Sequence, residues 1–188
     1  MQLNKAQLRR LLLEKRRALP PNVWRQKSDI LCDRLSALSI FREAKTILAY
    51  LSFRQEPDLA PLFTSDRRWG FPRCLGKSLQ WHSWMPGESL EVGTYGILEP
   101  LVDSPTISSE EVDLILVPAV GCDRQRYRLG YGGGFYDRML TCPQWNSKPT
   151  IGIVFDFAYL PQLPVDPWDR QLSYICTDSE QCSQHLPL

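Results

Sequence analysis

The stretch "RLGYGGGFYDRML", residues 128–140, places Gly130, Gly132, Gly133 and Gly134 between Arg128 and an acid-base pair, Asp137 and Arg138. Glycines at this density let backbone N–H groups approach an anion and adopt positive φ, and a helix starting after them adds a favourable dipole. Arg124, Arg126, Arg128 and Arg138 bracket the loop, and a guanidinium fork matches phosphate oxygens. Asp137 could serve magnesium, which takes only one or two carboxylates when phosphates and water complete its shell. The chemistry suggested is nucleotide phosphate binding. The same residues also suit a tight structural turn, with Asp137 paired to Arg138 or to a helix N-terminus. Phe135 occupies the last position of a would-be GxGxxG and no GK[ST] follows, so neither a Rossmann site nor a P-loop is indicated.

Such a loop needs a strand before it and a helix after it. "VDLILVPAVG" and "TIGIVF" are apolar on both faces, as buried strands of a helix-covered parallel sheet are. Further β-type runs are "TILAYLS", "RWGFPRC", "LQWHSW" and "LSYICT". Leu8, Leu11, Leu12 and Leu19 predict an amphipathic helix within residues 3–19, "LPPN" stops it, and a second helix begins near Trp24. "PDLAPLF" could form a short helix and "GGFYDRML" starts another. The fold expected is α/β: one domain over residues 1–188, a three-layer α/β/α sandwich whose largely parallel sheet admits an antiparallel strand, with N-terminal helices. Residues 85–111, rich in Gly, Pro, Ser and Glu, read as a surface excursion, and "SEQCSQHLPL" as a loose tail.

With 43% hydrophobic and 23% charged residues, the chain has the composition of a folded globular protein. A net charge of +1 gives no broad field for nucleic acid, which disfavours that role for "LRRLLLEKRR" and "DRQRYR". No apolar run reaches the roughly 20 residues of a membrane span, and no signal peptide is evident, so a cytoplasmic protein is expected. The six cysteines are scattered without a CxxC pair, and His82 and His185 are the only histidines; free thiols are expected rather than a zinc site.

The segment "ILVPAVGCDRQRYRLGYGGGFYDR" resembles the 5-formyltetrahydrofolate cyclo-ligase family, whose pattern runs Arg-Leu-Gly, a variable residue, three glycines, two aromatics and Asp after a strand ending in Val-Pro. "KAQLRR", "AYLSFRQE", "GFPRC", "YGILEP", "IGIVF" and "LPVDPWD" extend the resemblance, in order, over nearly the whole chain. It implies ATP-dependent closure of 5-formyltetrahydrofolate to 5,10-methenyltetrahydrofolate, releasing ADP and phosphate with magnesium. The γ-phosphoryl group activates the formyl oxygen as an iminium phosphate and N10 then attacks. A noncatalytic ATP- or folate-binding module on the same fold is the alternative. The partners expected are these small molecules, with no nucleic acid and no membrane, and a monomer.

By the same resemblance, Lys5 and Arg9 contact ATP, and Arg128 and Lys5 are the catalytic cations. Without it, a solvated basic helix face is the simpler reading of Lys5 and Arg9. Arg128, Leu129, Gly130, Tyr131, Gly132, Gly133, Gly134, Phe135 and Tyr136 form the nucleotide loop, with Tyr131 through Phe135 also near the folate. Leu51 and Glu56 match substrate-contacting positions, although Leu51 also suits a core and Glu56 a helix cap near Pro57. Arg73 could contact phosphate or support the pocket. Asp137 and Asp169 match magnesium ligands, with Asp166 nearby and a Pro-rich turn as the other use of either. Cys122, Arg126, Ala158 and Trp168 depart from the family's usual Phe, Gly, Gln and His.

Overall fold

Asn4 starts the first helix by reciprocal capping: its side chain accepts from the Gln7 N–H at 2.9 Å, and the Gln7 side chain accepts from the Asn4 N–H at 3.0 Å. This helix, α1 (Lys5–Arg17), is followed by α2 (Pro21–Ala37), which opens on a proline that needs no helical donor, and by the short α3 (Ser39–Glu43). Leu12 lies in the core while Leu11 is exposed, so the buried face of α1 is narrower than its leucines suggest. The computed structural model describes residues 3–179; most of the expected loose tail lies outside that range.

Six strands form the main sheet: β1 (Thr46–Leu48), β2 (Arg68–Leu75), β3 (Ser78–Ser83), β6 (Leu114–Pro118), β9 (Thr150–Ile153) and β11 (Tyr174–Cys176), ordered β11-β9-β6-β1-β2-β3. Every pairing is parallel except the β2–β3 hairpin. Each β-type run in the sequence supplies one of them. Because side chains alternate across a strand, Leu48, Ile115 and Val117 face one way, and Ile47, Leu114 and Leu116 the other. The first set packs with Leu12 of α1 and with Tyr136, Met139 and Leu140 of α4 (Phe135–Thr141); the second packs with Leu31, Leu35 and Phe41 of α2 and α3. This is the three-layer α/β/α arrangement.

The excursion holds more order than its composition indicates: β4 (Leu90–Val92) and β5 (Leu98–Pro100) pair as an antiparallel hairpin. "VDLILVPAVG" is also two elements, since β6 ends at Pro118 and β7 (Gly121–Asp123) begins a second sheet with β8 (Arg128–Leu129) and β10 (Tyr159–Leu160). Asp123, fully buried, braces that turn: Oδ1 accepts from the N–H groups of Gln125 and Tyr127, and Oδ2 from Leu163. Arg126 sits there at φ 68°, the left-handed region that favours glycine. The remaining helix, α5 (Pro143–Asn146), follows α4 directly. Among the described residues no helix is long and apolar enough to cross a membrane.

Ile115 has no exposed surface. Ile115→Ala should therefore lower stability by about 2–5 kcal/mol, read as a lower urea midpoint at unchanged slope.

Candidate functional site

The β7–β8 turn delivers Arg128 to the mouth of the glycine loop. Its guanidinium lies over the Tyr136 ring, 5.1 Å from the centroid, and donates to Asp137 Oδ2 at 3.1 Å and to the Pro118 carbonyl at 3.4 Å. Gly130 makes room for it, since a Cβ there would lie 2.5 Å from Arg128 Nη1. Gly134, at φ 66°, turns the chain into α4 through a conformation that costs other residues about 1–2 kcal/mol. Asp137 thus pairs with Arg128 rather than with its neighbour Arg138, which donates instead to the Lys77 carbonyl at 2.8 and 3.0 Å and stacks over Phe135.

The N-terminal helix closes over this loop from the other side. Arg9 Nε donates to the Gly130 carbonyl at 2.7 Å. Lys5 Nζ, one turn earlier, bonds Asp166 Oδ2 at 2.6 Å and Asp169 Oδ2 at 2.5 Å. Lys5 and Arg9 are therefore engaged by the fold and are not a solvated basic face. Asp169 Oδ2 also accepts from the Asp166 N–H at 2.7 Å, so both aspartates share the turn before β11 with the lysine between them.

Glu56 is 4% exposed and caps no helix at Pro57; the next helical turn is a 3₁₀ segment, Ala60–Leu62. Its Oε2 accepts from the Phe53 N–H at 3.1 Å, and its own N–H returns to the Phe53 carbonyl at 3.1 Å. The turn so closed carries Arg54 at φ 50° and Gln55 at φ 58°, two adjacent left-handed residues without a glycine, at a cost of about 1–2 kcal/mol each. Tyr131 of the glycine loop lies beside Glu56, favouring its ionised form, and its hydroxyl accepts from Arg16 of α1. Its hydroxyl points inward while 41% of the residue stays exposed.

Leu51, partly buried, packs against the core cluster that holds Leu31 and Leu35 of α2. Arg73 is committed to the hairpin, donating to Glu91 at 2.5 Å and to the Pro100 carbonyl. That hairpin presents Tyr95 edge-on to Phe135, with ring centroids 5.6 Å apart. Arg16 is absent from the sequence-based site. Only its burial, 3% exposed at the end of "EKRR", separates it from the exposed Lys15 and Arg17 beside it.

Comparison with known proteins bears directly on this geometry. The family model for 5-formyltetrahydrofolate cyclo-ligase matches residues 1–178. The chain belongs to the 5-formyltetrahydrofolate cyclo-ligase family. A 5-formyltetrahydrofolate cyclo-ligase of Mycolicibacterium smegmatis is 33% identical, over 93% of each chain, and one of Escherichia coli K12 is 29% identical, over 90% of this chain and 98% of its own. The 5,10-methenyltetrahydrofolate synthetase of Aquifex aeolicus superposes with a TM-score of 0.82 at 32% identity, covering 93% of this chain and 89% of its own. That of Mycoplasma pneumoniae gives 0.77 at 25% identity, covering 94% and 100%.

In this family member the two charged groups behave oppositely. Burial pulls the Lys5 ammonium down, but Asp166 and Asp169 outweigh it and hold the group above its ordinary 10.5. Burial lifts the Glu56 carboxyl above its ordinary 4.5, and the attraction of Arg16, Tyr131, the Phe53 N–H and Arg128 offsets only part of that. The folded state then binds the Glu56 proton more tightly than the unfolded chain, so this group's contribution to stability falls as pH rises from 4.5 through the folded value. Glu56→Gln, which mimics the neutral form, should raise the melting temperature at pH 7 and leave it nearly unchanged at pH 4. An equal shift at both values would show that ionisation is not the cause.

Proposed function

We propose that this protein closes the five-membered ring of 5-formyltetrahydrofolate with ATP, yielding 5,10-methenyltetrahydrofolate, ADP and phosphate, and that the residues gathered at the glycine loop do this. The observation carrying the reading is the convergence on one loop of Arg9 at Gly130, Arg128 at the helix start, and a buried carboxylate, Glu56, joined to Tyr131. Phosphate-binding groups and a carboxylate suited to a pterin amine then lie on two sides of the same few residues. The buried Tyr136 hydroxyl, without a protein partner, is a further donor beside Arg128.

The formyl oxygen is a poor leaving group until it carries phosphate. Its attack on the γ-phosphorus of ATP expels ADP; N10 then adds to the formyl carbon, the C–O bond breaks, phosphate departs and N10 loses its proton. Charge neutralisation and positioning dominate such a transfer. Lys5 and Arg128 supply the neutralisation by turning from carboxylates to phosphate oxygens, and Arg9 holds the loop that the phosphates lie along. Glu56 orients the ring by accepting hydrogen bonds from its amino-pyrimidine edge, and Leu51 packs beside it.

Among the described residues no cluster of three or more His, Cys, Asp or Glu is arranged to hold a metal by itself. The donor set suits magnesium arriving with nucleotide phosphates, which needs only one or two carboxylates. Asp137 and Asp169 would hold it, and the metal would neutralise phosphate charge. The two core clusters share one sheet, which supports a single domain over residues 1–188. The free thiols of Cys32, Cys74 and Cys142 fit a reducing cytoplasm, and the near-neutral charge fits small-molecule substrates rather than nucleic acid or membrane, on which we take the protein to act as a monomer.

Methenyl product, followed by absorbance, should appear only when protein, ATP, magnesium and 5-formyltetrahydrofolate are all present; ATP binding without product would mark a noncatalytic module instead. Arg128→Ala should lower kcat by about 10²-fold or more while the protein remains folded, and wild-type turnover would remove Arg128 from the chemistry.

A further inference from the structure

Arg16 reaches three separate segments from one buried position. Nε donates to the Arg54 carbonyl at 3.0 Å, one terminal nitrogen to the Ala119 carbonyl at 3.5 Å, and the other to the Tyr131 hydroxyl. The guanidinium also faces the Tyr131 ring, 5.5 Å from its centroid. The Arg54 contact is made on the left-handed turn that carries Glu56, and the next residue repeats the attachment: with its side-chain amide turned so that its nitrogen meets acceptors, Gln55 donates to the Arg16 carbonyl at 2.9 Å and the Arg17 carbonyl at 3.2 Å. Both carbonyls lie in the last turn of α1, where that of Arg16 also accepts from the Leu19 N–H at 3.2 Å. The end of α1 therefore clamps a strained turn from two sides while fixing the aromatic that meets its carboxylate.

We propose that Arg16 is a positioning residue for folate recognition, locking the Phe53–Glu56 turn and Tyr131 into one arrangement so that Glu56 meets the pterin as an oriented carboxylate. The inference rests on the reading that Glu56 binds the folate. Strained backbone persists only where its surroundings over-determine it, and here the determinants come from one helix end. The groups facing Glu56 are Arg16 from α1, Arg128 and Tyr131 from the glycine loop, Tyr136 from α4 and Tyr50 beyond β1. Arg16 is the strongest of the attractions that favour the ionised form, so its removal also pushes Glu56 toward protonation.

Binding of 5-formyltetrahydrofolate, measured by calorimetry, and steady-state KM values for it and for ATP separate the possibilities in folded Arg16→Met, Arg16→Lys, Glu56→Gln and Arg16→Met/Glu56→Gln proteins. Arg16→Met should weaken folate binding and raise its KM by about tenfold, with the ATP KM within about twofold. The acid limb of its folate kcat/KM profile should move to higher pH. Arg16→Lys, which keeps the charge but not the fork, should keep the wild-type profile with a smaller rise in KM, and it carries the test if Arg16→Met does not fold. The double variant should be little worse than Glu56→Gln alone. Equal losses for both substrates, or additive losses in the double variant, would reduce Arg16 to general support of the fold. Wild-type folate affinity in Glu56→Gln would instead overturn the reading of Glu56 itself.

Discussion

Lys5, Arg9 and Arg16 leave one face of α1, spread over about three helical turns, and end on different segments: the Asp166–Asp169 turn, the glycine loop, and the turn before Glu56 together with Tyr131. None of these segments is a regular element of the main sheet, and each would be a mobile connection without a partner. The helix makes no strand contact that defines the sheet's order, yet it sets the mutual position of the loops at the strand ends. Apolar packing through Leu12 seats it, and its charged contacts give it direction.

The cations proposed to meet a charged substrate are held by groups of opposite charge from the same cluster. Lys5 rests on two carboxylates and Arg128 on one. Partly buried cations without partners would carry a large desolvation penalty, so the internal pairs keep the open site foldable. Glu56 is treated differently: it is neutralised in part by hydrogen bonds and by Arg16, and the remaining burial penalty is an instability located where a ligand can relieve it.

Much of this was legible in the sequence because the signals were local. Six short β-type runs, two of them apolar on both faces, mark the strands of the main sheet, and the glycine loop with its flanking Arg128 and Asp137 lies within a few residues. What escaped depends on distant partners or on length. The β4–β5 hairpin has strands of three residues, too short for periodicity to register. The Phe53–Glu56 turn uses Arg54 and Gln55 where such turns usually advertise Asn or Gly. Arg16 looks like its neighbours in "EKRR", and only the carbonyls waiting in three other segments make it a buried residue. Asp137 could not reveal by spacing that it would take Arg128, nine residues back, over the adjacent Arg138.

The contacts of α1 also constrain the order of events during synthesis. Lys5 is separated from Asp166 by 161 positions and from Asp169 by 164, and Arg9 from Gly130 by 121. The helix leaves the ribosome well before either aspartate, and its lysine lacks these counter-charges until nearly the whole described chain has followed. Long-range closures of this kind come late because chain entropy must be lost before the contact forms. A nascent chain can assemble β1, β2 and β3 well before its cations find their seats. The proposed nucleotide site is thus completed only once the chain has been made through Asp169, and a product stalled before that point would hold much of the core without it.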